Sequence, residues 1–394
     1  MSKVKCKNLV ILGATGSIGD SALNIIARHP DKFNVYAITG HANIKKLVQL
    51  CKKFNPKYAV ISNPACYLEL KSQVGTTTKV LAGTAELSNI CQLPEVDMVV
   101  AGIVGSAGMQ PVLATVTAGK DLLLANKEAL VVAGDLVIQA AIKNNANIIP
   151  LDSEHNAIFQ CLPDDYKVGT TPKDLDKIIL TASGGPFWDR DIHTFEDITP
   201  EQACAHPNWS MGKKISVDSA SMMNKGLEII EAHWLFNLNV DKIDVHIHPQ
   251  SIIHSMVCYK DGSILAQLGK PDMRIPIAYG LGLRKRITSG ANLIDLLTAE
   301  QLQFFKPDYV KFPCLALAQD AINSGGTAMA TLNTANEVSV AAFLNGQISF
   351  TNIAAINQQV MQQTTIHRIE SVQHLLELDI EIRTITQQEA KAYA

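Results

Sequence analysis

Two carboxylates one residue apart, Asp152 and Glu154 in the run LDSEH, follow the apolar pair Ile148 and Ile149. Read as the end of a strand, that spacing projects both side chains to one side, with Ser153 facing away. Two carboxylates so placed suit a hard divalent cation that takes oxygen ligands. They are equally at home capping the helix expected over HNAIFQCL, where acidic residues are favoured. Further on, Asn224, Lys225 and Glu228 are spaced to share one face of a helix, with Ser219 just ahead of it. A hydroxyl, an amide and an ammonium gathered at a helix start suit a phosphate monoester. Glu228 on that face adds a third carboxylate for the cation. An intrahelical ion pair of Lys225 with Glu228 or Glu231 accounts for the same spacing.

A second group has the spacing of a nucleotide site. Asn8 to Leu12 read as a short apolar strand running straight into GATGSIG, with Gly13, Gly16 and Gly19 three apart. An amphipathic helix follows, carrying Ile18, Ala22, Ile25 and Ile26 on one side. Strand, glycine turn and helix let backbone N–H groups approach a pyrophosphate at a helix start, a plain tight turn being the alternative. The strand Asn34 to Ile38 ends in Thr39, Gly40 and His41, without the acid that would bind a ribose 2′-hydroxyl, and Lys45 and Lys46 follow. That pattern favours NADP over NAD. After a later strand come Asn126, Lys127 and Glu128, where ligands bind outside the carboxyl ends of parallel strands. A cation at a helix start is unfavourable without an anion nearby, which marks Lys127 as functional rather than as a surface lysine.

The middle of the chain holds the remaining candidates. Lys177 to Thr181 form a strand ending in ASGGPF, where Ser183, Gly184 and Gly185 offer a hydroxyl and exposed backbone N–H groups. HPNWSMG, with Pro207, Trp209 and Gly212, reads as a flap that closes over a ligand, or as a loop that Trp209 pins into the core. In DVHIHPQSIIHSMV, His246 and His248 have the spacing of a strand-borne zinc pair, but no acidic third ligand is close. Structural or substrate-side roles are favoured for them. PDMRIP, Pro271 to Pro276, reads as an irregular loop.

These side chains must be positioned by a framework that the whole chain describes. Apolar runs around Val60, from Val96, from Lys120 and from Ala146 alternate with helical stretches, which implies a mostly parallel sheet with helices on both faces. With 394 residues the chain is too long for one core. Composition shifts divide it into residues 1–151, an α/β dinucleotide-binding domain of Rossmann type, 152–285, an α/β catalytic domain with the flap, 286–313, a connection, and 314–394, a small helical domain. The composition, 47% hydrophobic and 18% charged, fits a folded globular protein. A net charge of −3 without a basic block gives no support to nucleic-acid or membrane binding. The eight cysteines are scattered without a Cys-x-x-Cys pair, which argues for a reducing compartment. No leader precedes the first strand and no apolar run is long enough to span a bilayer, so the expectation is a cytoplasmic enzyme.

Taken together, GATGSIG, LLLANKEALV, LDSEHNAIFQ, TASGGPF, HPNWSMGKKISVDSASMMNKGLE, HPQSIIHSMV, PDMRIPIA and LNTANEVSVAAFL resemble the 1-deoxy-D-xylulose 5-phosphate reductoisomerase family along nearly the whole chain. The resemblance implies a homodimer that makes 2-C-methyl-D-erythritol 4-phosphate for isoprenoid synthesis, using NADPH and Mg²⁺ or Mn²⁺. Asp152, Glu154 and Glu228 would ligate the metal. Ser183, Ser219, Asn224 and Lys225 would bind the substrate's phosphate end, with Ser153, Lys127 and His206 also touching substrate. Lys127 is the candidate to assist proton transfer. Thr15, Gly16, Ser17, Ile18, Gly40, Asn43, Asn126, Glu128 and Gly212 would line the cofactor site, and His206 to Met211 would be the flap. Where family members often carry Gly-Lys-Asn or Gly-Ser-Asn after the second strand, this chain has Gly40, His41, Ala42 and Asn43. The implied chemistry is a carbon-skeleton rearrangement, by retro-aldol cleavage and re-aldol addition, followed by hydride transfer.

Two rival readings account for less. Another NAD(P)-linked oxidoreductase, such as a homoserine dehydrogenase, shares the early glycine motif and an ANK-like turn, but explains neither the acidic set nor the flap. A nucleotide-sensing regulator calls for a basic or DNA-reading element, which the sequence lacks.

Overall fold

The computed structural model describes residues 6–206, 212–299 and 301–393. In chain order the elements are β1 (Lys7–Leu12), α1 (Ser17–Ile26), β2 (Phe33–Gly40), α2 (Ile44–Phe54), β3 (Tyr58–Ile61), α3 (Tyr67–Gln73), β4 (Lys79–Ala82), α4 (Ala85–Cys91), β5 (Met98–Ala101), α5 (Met109–Thr117), β6 (Asp121–Leu124), α6 (Lys127–Lys143), β7 (Ile148–Pro150) and α7 (Ser153–Cys161). Then come β8 (Leu175–Ala182), α8 (Pro200–Cys204), α9 (Lys213–Ala220), α10 (Met223–Phe236), β9 (Ile243–Ile247), β10 (Ile253–Tyr259), β11 (Ile264–Leu268), α11 (Arg274–Leu281), α12 (Pro313–Ser324), α13 (Ala328–Leu344), α14 (Phe350–Gln363) and α15 (Val372–Ala392). The chain divides into two compact units. One consists of Met1–Ala129, Asp135–Val168 and Asp272–Asn292, the other of Leu130–Gly134, Gly169–Pro271 and Leu293–Ala394.

The first unit is an α/β fold around a seven-stranded parallel sheet of order β4-β3-β2-β1-β5-β6-β7. Its central strands are buried without alternation, as in the runs LVIL and MVVA, because both faces of a parallel sheet are covered. The strand order reverses beside β1, which runs to β2 on one side and β5 on the other. That switch point is where such sheets bind ligands. Gly13 adopts φ +75°, and a Cβ there would lie 2.7 Å from the Gly102 carbonyl oxygen, so the turns after β1 and β5 approach too closely for a side chain. A Cβ on Gly19 would lie 2.5 Å from Ala14 Cα, which seats α1 directly on the turn. Thr39 ties the turn to β2: its hydroxyl accepts from the Gly13 N–H at 2.9 Å and its carbonyl from the Ala14 N–H at 2.8 Å.

PDMRIP is not an irregular loop. Helix α11 begins at Arg274, and Pro276 falls in its first turn, where the missing N–H has no intrahelical partner to lose. Ile277, Ala278 and Leu281 join the core of the first unit, with Gly280 against Leu123 and Leu151. Just after α11, Leu283 and Arg284 take positive φ. The Arg284 guanidinium donates to the carbonyls of Pro163 and Tyr166, each at 2.6 Å, and lies 4.0 Å over the Phe159 ring.

The second unit holds a four-stranded sheet of order β11-β10-β8-β9, with β9 parallel to β8 and β10 antiparallel to both β8 and β11. His248 is fully buried and structural. Nδ1 donates to the Gln303 carbonyl at 2.8 Å, while Nε2 accepts from the Ile252 and Ile253 N–H groups at 3.2 Å. Both ring nitrogens are committed, so the His246 and His248 pair is not a zinc site. A cluster of Phe187, Phe195, Phe343 and Phe350, with ring centroids 5.6 to 6.1 Å apart, joins the region after β8 to the C-terminal helices. Those helices number four among the described residues. The last of them, α15, carries an apolar stripe (Leu375, Leu378, Ile382) diluted by polar residues.

Gly19→Ala is expected to destabilise the chain by about 1–3 kcal/mol, the usual cost of overpacking. Gly75→Ala, where a Cβ meets nothing within 4 Å, is expected to change stability by less than about 0.5 kcal/mol. Urea unfolding checks both, and equal effects would contradict the close seating of α1.

Candidate functional site

In the first unit Asp152 and Glu154 do not extend from a strand. β7 ends at Pro150 and α7 begins at Ser153, which puts Asp152 at the helix N-cap position and Glu154 in the first turn. The carboxylates still lie close, each presenting an oxygen within 4.8 Å of the other, because the cap position and the first turn share one end of the helix. Asp152 occupies the capping position without capping, for its side chain makes no bond to the helix N–H groups. It faces the Lys127 ammonium at 2.5 Å instead, and both side chains are largely buried. The anion that a lysine at a helix start requires is therefore Asp152. Ser153 donates its hydroxyl to Glu154 at 2.6 Å.

Asn126, ahead of Lys127, is the N-cap of α6. Its side-chain oxygen accepts from the Ala129 N–H at 2.8 Å, and its amide donates to the carbonyls of Ile103 and Gly105. It is buried, as is Glu128. Thr15 and Ile18 are half-buried, while Gly16 and Ser17 are exposed at the start of α1, where no side chain caps the turn. The N–H groups of that turn are the kind that receive a phosphate oxygen. Gly40 is buried at the end of β2, and exposed Asn43 caps α2 by accepting from the Lys46 N–H at 3.1 Å. Lys46 is committed to Asp20 and to the Thr15 carbonyl, so of the two lysines read as favouring a 2′-phosphate it is Lys45 that stays exposed. His41, also exposed, contacts the Ser62 hydroxyl at 2.9 Å.

In the second unit Ser219 belongs to the last turn of α9 rather than to the approach to α10. Asn224 and Lys225 stand in the first turn of α10, and Met222, at φ +61°, makes the corner between the two helices. Lys225 is ion-paired with Glu228 on its own helix, and Asn224 donates to the other Glu228 oxygen at 2.5 Å. The intrahelical pair that the spacing allows does form, but in the interior: Lys225 is 4% exposed and Glu228 1%. Burying a carboxylate so far from water is costly, and the ammonium beside it offsets part of that cost. Ser183 accepts from the Gly185 N–H at 3.2 Å and contacts His206 Nε2 at 3.1 Å. Gly185, at φ +71°, brings this turn onto α9, since a Cβ there would lie 2.6 Å from the Ser219 carbonyl oxygen. The Ser183 turn and Ser219 are thus neighbours. Gly212 is exposed at the start of α9. The flap residues 207–211, Trp209 among them, lie outside the described residues.

The comparisons with known proteins agree with one another. Family models described as 1-deoxy-D-xylulose 5-phosphate reductoisomerase, its C-terminal domain and DXP reductoisomerase C-terminal domain match residues 9–134, 148–236 and 268–385. The chain is 53% identical to a 1-deoxy-D-xylulose 5-phosphate reductoisomerase of Ralstonia pickettii, over 98% of this chain and 96% of that one. It is 56% identical to that of Stutzerimonas stutzeri over 90% of each. A crystal structure of a DOX-P reductoisomerase in complex with NADPH, fosmidomycin and magnesium is 45% identical, with a TM-score of 0.91 and 98% of both chains covered. The Zymomonas mobilis enzyme in complex with NADPH is 42% identical with a TM-score of 0.92, over 98% of this chain and all of that one.

Burial lowers the His206 pKa, since the charged imidazole loses more on leaving water than the neutral one. Its neutral form therefore contributes stability at pH above the ordinary imidazole value of about 6.5, and that contribution is lost as pH falls below it. An NMR titration of the free protein should place the His206 midpoint below that value, and a midpoint above it would contradict the burial.

Proposed function

This chain belongs to the 1-deoxy-D-xylulose 5-phosphate reductoisomerase family, and on that premise we propose how its own residues divide the work. The reaction is the rearrangement of 1-deoxy-D-xylulose 5-phosphate and its NADPH-linked reduction to 2-C-methyl-D-erythritol 4-phosphate, with a divalent cation taking part. The observation that carries the assignment is the match along the whole chain to relatives of that name, one of them solved with NADPH and magnesium together.

Asp152, Glu154 and Glu228 hold the cation, which is Mg²⁺ or Mn²⁺. The donor chemistry fits: all three offer carboxylate oxygens, and no cysteine or neutral imidazole is needed. When bound, the cation supplies Lewis acidity to a ketone and a neighbouring hydroxyl oxygen, and NADPH supplies the hydride. Lys127, held by Asp152, donates to a substrate oxygen and moves its proton during the bond cleavage and re-formation of a retro-aldol and re-aldol sequence. Ser153 touches the same substrate. Ser183, Ser219, Asn224 and Lys225 bind the phosphate end with the N–H groups of the first turn of α10, and His206 contacts substrate beside Ser183. Binding energy gathered there, remote from the reacting carbons, holds the fragments in place between cleavage and re-addition. Thr15, Gly16, Ser17 and Ile18 receive the cofactor's pyrophosphate. Gly40 and Asn43 border the adenosine end, and Gly212 closes the site. Asn126 and Glu128 complete the cofactor wall, Asn126 by holding the turn at 103–105 in place.

The working form is a homodimer in the cytoplasm. No helix among the described residues is long and apolar enough to cross a membrane, and all eight cysteines are free, as a reducing compartment keeps them. Edge strand β11 exposes Ile264, Leu265 and Leu268, an apolar edge that a second copy would cover.

Asp152→Asn, Glu154→Gln and Glu228→Gln are each expected to lower kcat by about a hundredfold or more while NADPH still binds. NADPH oxidation and fluorescence titration measure the two, and a near-normal kcat removes that residue from the ligand set. Leu265→Lys is expected to yield monomers in sedimentation, whereas an unchanged dimer mass would place the interface elsewhere.

A further inference from the structure

The C-terminal helices carry a line of buried polar groups that the reaction just described does not use. Asp218, 1% exposed in α9, accepts from the Asn336 amide of α13 at 2.7 Å. The Asn336 oxygen accepts from the Asn357 amide of α14 at 3.2 Å, and the Asn357 oxygen accepts from the Ser339 hydroxyl at 3.0 Å. Asn336, Asn357 and Ser339 are fully buried. On its other side Asp218 pairs with Lys214 at 2.7 Å, one helical turn back in α9.

The direction of this line follows from one charge. An ionised carboxylate only accepts, so Asn336 must turn its NH₂ towards Asp218 and its oxygen towards Asn357. Asn357 must then offer its own NH₂, which leaves its oxygen for the Ser339 hydroxyl. Neither amide can flip without placing two donors or two acceptors face to face in a dry interior. Apolar packing alone would hold α9 against α13 at less cost, because moving a carboxylate out of water is expensive. What the polar line adds is a single register. The residue after Asp218 is Ser219, whose carbonyl abuts the Gly185 turn that carries Ser183.

We propose that Asn336 and Asn357 are positioning residues for the substrate's phosphate: through Asp218 they fix the end of α9, and with it Ser219 and the Ser183 turn. The proposal rests on the assignment of Ser219, Ser183 and Lys225 to the phosphate end. Asn336→Ala is expected to raise both the KM for 1-deoxy-D-xylulose 5-phosphate and the inhibition constant of inorganic phosphate by about tenfold, the scale of one hydrogen bond to a charged group. Its kcat should stay within about twofold and its KM for NADPH should not change. Leu332→Ala, on α13 itself and in the apolar core, controls for stability: it should lower the unfolding temperature and leave both phosphate readouts alone. If Asn336→Ala also lowers only the unfolding temperature, the residue is structural and the proposal is overturned. Lys225→Ala tests the underlying assignment, because it should raise the same two constants whatever Asn336 does. No change in Lys225→Ala would overturn the phosphate site itself, whereas a change there with none in Asn336→Ala would overturn the positioning role alone. Should Asn336→Ala fail to fold, Ser339→Ala at the far end of the line is expected to give the same split at about twofold to threefold, and an unchanged KM there overturns the proposal.

Discussion

Negative charge kept out of water is the constraint from which the rest of this structure follows. Asp152, Glu228 and Asp218 are each shielded from solvent, and each has a lysine ammonium against it: Lys127, Lys225 and Lys214. Two of these lysines reach the carboxylate from the same helix, three or four residues away, and Lys127 stands at the start of the helix preceding α7. A buried carboxylate without such a partner would take up a proton, and a protonated acid neither ligates a hard cation well nor orients an amide line. The ammonium groups thus offset the cost of burying the acids, while competing with whatever else comes to bind them. A ligand that arrives there meets preformed charge and preformed geometry together.

The glycine turn works by the opposite means, through the removal of side chains. Gly13 and Gly19 have no room for a Cβ, so the main chain of the first turn comes close to that of the turn after β5. Dipoles of N–H groups, fixed by the helix and by Thr39, take the place of charged side chains. The first unit therefore offers an anion a partial positive charge that no titration can remove, while its acidic residues depend on their lysines.

Much of this could be read from residue order. GATGSIG after an apolar strand, and the alternation of apolar runs with helical stretches, specify the parallel sheet because period and glycine spacing are local properties. Spacing on the helix likewise places Asn224, Lys225 and Glu228 together. What could not be read was tertiary or turned on one boundary. Asp152 sits at a helix entrance rather than on a strand, a difference of two residues that changes which neighbours it meets. PDMRIP looks like a loop because it holds two prolines, yet Pro276 is harmless in a first turn. His248 has a metal ligand's spacing, and only the partners of both ring nitrogens reveal its structural role. The line from Asp218 to Ser339 spans helices far apart in sequence, and nothing local in α13 marks Asn336 as anything but a polar residue in an apolar helix.

Segment 272–292 has a consequence for how the chain is made. Its helix α11 lies over Leu123 and Leu151, so the N-terminal unit finishes its core with residues synthesised long after its sheet. A nascent chain released as far as Val168 has every strand of that sheet but bare aliphatic surface where α11 belongs. The intervening segment must leave the ribosome before that surface is covered, and until then the exposed aliphatic face is prone to aggregate.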